Sequence, residues 1–163
     1  MFLAQSGLIG GMYAALCLIF SAVSYGPIQI RVAEALGALA LFTPAAVPGL
    51  AVGCLVADLF GGGIAGVFDW AIGSLTTLLA AALTYRMRRL PPAVAMIPPV
   101  VLNALTVGAE IALAGAEGFS WSLFVLYAAQ VAAGQAVACI GGGCLLTALL
   151  KKTGAHRLFS LQK

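Results

Sequence analysis

Apolar residues run along this chain in long unbroken stretches and do not alternate with polar ones. Residues 1–30, 35–57, 70–85, 90–109 and 118–150 contain no Asp, Glu, Lys or Arg. About 20 apolar residues in a row span a bilayer as a helix, so the pattern predicts an all-α polytopic membrane protein. A membrane β-barrel would show period-two alternation, which the sequence lacks. Turn residues cluster at Gly26-Pro27, 44–48, 61–63, Pro91-Pro92 and 115–118 and divide the chain into elements. The expected helices are about 6–25, 30–43, 48–61, 67–86, 92–114 and 121–150, followed by a basic tail, 151–163. Helices 2 and 3 are short for a span and could form a re-entrant pair, which would leave the two termini on the same side. Three glycines at 141–143 should thin or kink helix 6.

Composition sharpens this picture. The chain has 163 residues, 63% hydrophobic and only 8% charged, against about 25% charged in a soluble domain. A water-soluble fold would have nothing polar to cover its surface. The length allows one compact six-helix transmembrane domain, residues 1–163, and no soluble one beside it. The first thirty residues lack a basic leader, so helix 1 is expected to be retained rather than cleaved. Seven of the eight Lys and Arg fall in two clusters, Arg86, Arg88, Arg89 and then Lys151, Lys152, Arg157, Lys163. Short basic loops stay cytoplasmic, which predicts that both termini are cytoplasmic and that the net charge of +3 reflects topology. The basic tail could touch anionic lipid, and nothing suggests nucleic acid as a partner.

With that orientation, Glu34, Asp58, Asp69, Glu110 and Glu117, together with Arg31, all map to the outer half of the bundle. Ionisable groups at membrane depth cost a few kcal/mol or more each, so by default they face the protein interior and mark a site. Arg31 and Glu34, three residues apart, could simply pair with each other beside the headgroups. That account leaves Asp58, Asp69 and Glu110 without a base at their depth. Asn103, Gln130 and Gln135 add amides inside helices; Gln130 fits interhelical hydrogen bonding and Asn103 fits a site.

Helix 1 carries Gly7, Gly11 and Ala15 at four-residue spacing. Small residues let another helix approach closely, either within this bundle or from a partner subunit. Tyr25, Trp70, Trp121 and Tyr127 lie near the outer ends, where an interfacial aromatic belt and stacking on a flat ligand are both open readings. Cys17, Cys54, Cys139 and Cys144 lack CxxC spacing and His156 sits in the tail, so no zinc, redox or other metal set is expected. The cysteines read as small core hydrophobes. Neither glycine triplet is followed by the Lys-Ser/Thr of a phosphate loop, and no Ser-His-Asp set can form. No catalytic residues and no cofactor are expected.

Four stretches carry a resemblance: YGPIQIRVAEAL, PAAVPGLAVGCLVADLFGG, FDWAIGSLTTLLAAALT and NALTVGAE, in that order. From about Ile9 to Leu150 the chain resembles the QueT family, substrate-binding S components of energy-coupling factor transporters. The resemblance implies six helices in a bacterial cell membrane and outward capture of a queuosine precursor, queuine or a related deazaguanine. It also implies partnership with a transmembrane coupling protein and two ATPases. Matching positions are Gln29, Arg31, Glu34, Asp69, Asn103 and Glu110. Asp58 stands where the family pattern has Asn, and Gln135 where it has an acid. A guanine-like edge offers two N–H donors and a carbonyl, which a carboxylate and an amide or Arg satisfy together. The expected substrate-binding set is therefore Tyr25, Gln29, Arg31, Glu34, Asp58, Asp69, Trp70, Asn103 and Glu110, with Gly7, Gly11 and Ala15 as the docking stripe. Two rivals are a proton-coupled secondary transporter of a small cationic or nucleobase-like solute and a membrane enzyme using Asp58 and Asp69 as an acid–base pair.

Overall fold

The computed structural model describes residues 1–21, 31–61, 67–114 and 119–160, the side chains of 67–69 and 160 excepted. Among them there are seven helices and no strand. They are α1 (Phe2–Ile19), α2 (Val32–Leu41), α3 (Ala46–Gly61), α4 (Val67–Arg86), α5 (Pro92–Ala114), α6 (Trp121–Thr153) and α7 (His156–Ser160). The seventh, within the basic tail, departs from the six expected. Three of them, α1, α5 and α6, are long and apolar enough to cross a membrane.

α4 and α5 have the bounds expected from their flanking breaks; the other helices differ in instructive ways. α1 begins at Phe2, not Ser6, because nothing in its first turn opposes helix. α2 is a 310 helix ten residues long, where such helices seldom exceed four. Its composition permits this. At three residues per turn, Ala33, Leu36 and Leu39 form one buried row, while the row of Val32, Ala35, Ala38 and Leu41 is the most accessible, with Ala38 alone in it fully buried. Ala and Gly in the buried rows let neighbouring helices come close to the tight coil. A 310 helix rises about 2.0 Å per residue, so this short element reaches about 20 Å, a third more than an α-helix of equal length.

Proline and threonine set the joints. Pro44 ends α2, and Thr43 Oγ1 accepts the Ala45 N–H at 3.2 Å, leading the chain into α3. α5 makes one turn over Pro92–Ala95, breaks at Met96 and restarts at Ile97. Pro98 and Pro99 then occupy its new first turn, where missing N–H groups cost nothing. In α6 the segment Ala136–Gly142 is π-helical, so the glycines widen the helix locally rather than end it. Gly154, at φ 74°, closes α6 in the left-handed conformation that glycine adopts freely.

α1 and α3 cross through glycines. A Cβ on Gly10 would lie 2.8 Å from the Gly49 carbonyl oxygen, and one on Gly53 would lie 2.6 Å from the Gly10 oxygen. α5 and α6 meet the same way at Gly108 and Ala128. The core between α1, α2 and α3 holds Ile9, Tyr13, Leu36, Leu39, Leu50 and Cys54. At one end, Ser6 Oγ donates to the Ala45 carbonyl (2.9 Å), Thr43 Oγ1 to Gln5 Oε1 (3.3 Å) and Gln5 Nε2 to the Leu158 carbonyl (3.2 Å). Both ends of the chain and the α2–α3 joint therefore meet at one end of the bundle.

Candidate functional site

The buried charges collect around the start of α2. Arg31, at its N-cap, is 8% exposed; Glu34, one 310 turn further, is 5% exposed, and Asp58 of α3 is 5% exposed. The sequence allowed Arg31 and Glu34 to pair with each other. Instead Arg31 Nη2 reaches across to Asp58 Oδ1 at 3.1 Å, and Glu34 Oε1 accepts the Tyr13 hydroxyl of α1 at 2.6 Å. Arg31 sits at the N-cap in extended backbone, outside the coil that carries Glu34, so the two side chains are not stacked on one face and each is taken by the helix it meets. Cys54, one turn before Asp58, donates its thiol to Asp58 Oδ2 at 3.3 Å and lies 3.8 Å from Arg31 Nη1. α4 closes the back of this group, since a Cβ on Gly73 would lie 3.0 Å from Asp58 Oδ2.

Such an arrangement puts an ion pair and a second carboxylate in one buried region. A buried charge left without a partner costs several kcal/mol, so the Arg31–Asp58 pair and the Tyr13–Glu34 bond each remove a penalty rather than add much stability. Chemically, the group offers acceptors in excess of cations, suited to a ligand that brings donors or positive charge.

The remaining expected residues fall into three groups. α5 carries Asn103 and Glu110 seven residues apart on one buried face, and Asn103 Nδ2 has no hydrogen-bond partner among the described residues. Asp69 and Trp70 lie in the first turn of α4; Trp70 is half-buried and its carbonyl accepts the Ser74 hydroxyl, while the Asp69 side chain is outside the description. Tyr25, Gln29 and Glu117 also lie outside the described residues. Trp121 joins Phe119 and Phe124 in an edge-on surface cluster, with centroids 5.2 and 5.9 Å away, and is 73% exposed. That is the position of an interfacial aromatic, not of a residue turned to the buried charges.

A small space lies beside Glu34. The space there is a void of about 10 Å³ bordered by Tyr13, Glu34, Gly37, Thr77 and Thr84, too small for a bicyclic ligand. Gly7, Gly11 and Ala15 are exposed, and a Cβ on Gly7 or Gly11 would meet nothing within 4 Å. Gly7 and Gly11 border a groove of about 230 Å³ between α1 and α3. Packing inside this bundle is done by Gly10 instead.

The QueT transporter family model matches residues 3–152. The chain belongs to the QueT transporter family. It is thus a membrane transport protein and not an enzyme by family, in keeping with its long apolar helices. No curated protein and no solved structure matches it.

One member of this QueT polar group, Tyr13, was not singled out in the sequence, while Gln135 was, as an amide inside a helix. Tyr13 carries the only hydroxyl of α1 beyond Ser6, and a phenol deep in an apolar span needs a hydrogen-bond partner; that was the available signal. Gln135, 1% exposed, accepts the Cys139 thiol at 3.1 Å where the π segment begins. Its burial, unlike the half-buried position of Gln130, follows from the widening of α6 and has no local sequence signal.

Proposed function

We propose that this chain is the substrate-specificity subunit of an energy-coupling factor importer in a bacterial cell membrane, capturing a queuosine precursor of the deazaguanine type from the outer face. The reading rests on family membership. The observation that carries it further is Glu34: a buried carboxylate with Oε1 fixed by Tyr13, which leaves Oε2 to accept from ring N–H groups. Asn103 supplies an unsatisfied donor that suits a ring carbonyl. Arg31 and Asp58 neutralise each other beside them, and Gln29, Asp69, Trp70, Glu110 and Tyr25 complete the proposed set.

On this reading the helices form one transmembrane domain. α1 and α7 meet through Gln5 and the Leu158 carbonyl, in keeping with both termini lying on the side where the charge rule puts the basic clusters, the cytoplasm. Gly7, Gly11 and Ala15 form the face on which the transmembrane coupling subunit docks, and two ATPase subunits supply hydrolysis.

Calorimetric titration of the purified protein with queuine and the aminomethyl deazaguanine tests the site. Charge-assisted hydrogen bonds are worth about 1.5–3 kcal/mol each. Glu34→Gln replaces an acceptor by a donor, so binding should fall by about 2–4 kcal/mol, or roughly 30- to 1,000-fold. Near-wild-type affinity for both ligands would remove Glu34 from the site. Uptake by this chain alone in ATP-free vesicles would instead favour a gradient-driven carrier.

A further inference from the structure

We infer that the void beside Glu34 is a binding site for a single ordered water that joins Thr84 of α4 to the Tyr13–Glu34 pair. Thr84 is fully buried, and its Oγ1 has no hydrogen-bond partner among the described residues. Buried Thr147 likewise has no partner among the described residues, but other helical hydroxyls satisfy themselves on the carbonyl four residues back, as Thr106 does on Leu102 and Thr153 on Leu149, both at 2.9 Å. Thr84 does not, and it borders the same void as Tyr13, Glu34 and Thr77. Thr77 and Thr84 are seven residues apart and so share one face of α4.

Size and chemistry agree. The void of about 10 Å³ corresponds to roughly one water-sized sphere, the lower bound for holding a water, and such a water needs two to four polar partners. Thr84, Thr77, Tyr13 and Glu34 provide them. A buried hydroxyl left unpaired is costly, and a water that satisfies it while touching a carboxylate removes that cost. The remaining borders, Leu50, Ala80, Ala81 and Pro99, are apolar and hold the water in place. Its role is to hydrate Glu34, so that the carboxylate keeps a fixed orientation whether or not a ligand is present. The inference does not depend on which ligand the protein carries.

The test combines structure and spectroscopy on the full-length protein. A structure at a resolution that shows waters should reveal density touching Thr84 Oγ1 in the wild type and in Thr84→Ser, and none in Thr84→Val. Infrared difference spectra against Glu34→Gln identify the Glu34 carboxyl band. That band should shift in Thr84→Val and stay in place in Thr84→Ser, a change that loss of packing alone would not divide this way. Should Thr84→Val not fold, density in the wild type and Thr84→Ser decides. An empty void in the wild type overturns the inference, as does a Glu34 band unmoved in folded Thr84→Val. An occupant that appears only with sodium or potassium, with melting temperature following the salt, makes this a cation site and overturns it equally.

Discussion

Two small-residue faces lie side by side on α1, and their fates are opposite. Gly10 is pressed so closely on α3 that its Cβ position lies 2.8 Å from the Gly49 carbonyl oxygen, whereas Gly7 and Gly11 face open space. Both faces use the same residue type on the same helix. The difference lies in the partner: α3 answers Gly10 with Gly49 and Gly53, and no described element answers Gly7, Gly11 and Ala15. A glycine face in a membrane helix thus says that something can approach, and only the opposing surface says whether it is already there.

The strongest way to break this comparison is Gly53→Leu. The side chain would be driven into the backbone of α1, which cannot move aside as a flexible side chain would. Overpacking typically costs about 1–3 kcal/mol and more where backbone is displaced, so the variant should lose most of its folded fraction on extraction into detergent. A monodisperse, heat-stable Gly53→Leu protein would mean the α1–α3 crossing is loose.

On the open face, Gly11→Leu should leave folding and ligand affinity within about twofold of wild type, a few tenths of a kcal/mol, and abolish transport and co-purification of the coupling subunits. Loss of ligand binding in a well-folded Gly11→Leu protein would show that this face serves the bundle after all.

A third face of α1 carries Tyr13. Tyr13→Phe removes the donor to Glu34 while keeping the ring, and should cost about 1.5–3 kcal/mol, the range for a hydrogen bond to a charged group. Thermal denaturation with and without ligand measures it. An unchanged melting temperature would show that Glu34 finds another donor at no loss.

The smallest expected effect is also the most direct comparison, one methyl group on each glycine face. Gly7→Ala meets no neighbour and replaces a flexible residue in a helix, so it should be neutral or stabilising by up to about 1 kcal/mol. Gly10→Ala makes the same chemical change against a carbonyl oxygen and should destabilise by about 1–3 kcal/mol. Equal melting temperatures for the two would erase the distinction between the faces.

Much of the architecture was legible in the sequence because its causes are local. Continuous apolar runs require helices in a bilayer, where every backbone group must be satisfied within its own segment. Glycine and proline clusters placed the bounds of α4 at 67–86 and the joints around Pro44 and Pro91. The scarcity of charge singled out Arg31, Glu34, Asp58 and Glu110, and the amide inside a helix singled out Asn103, all of which are buried. The 310 form of α2 was not legible, since its apolar composition suits an α-helix equally well. It takes close neighbours such as Met96, whose Cε lies 3.3 Å from the Cβ position of Gly37, to make the thinner coil favourable.

By itself, then, the sequence determined the main helical segments, though not α7 or the break at Met96, and which few side chains are too costly to leave facing lipid. Tertiary structure alone decided that Arg31 joins Asp58 and not Glu34, that Tyr13 holds Glu34, and that Gly10 rather than Gly11 is covered. The physical reason is one of range. Helix formation and desolvation are set by each segment and its surroundings, while a hydrogen bond or glycine contact needs atoms within about 3 Å, supplied by residues far away in the chain.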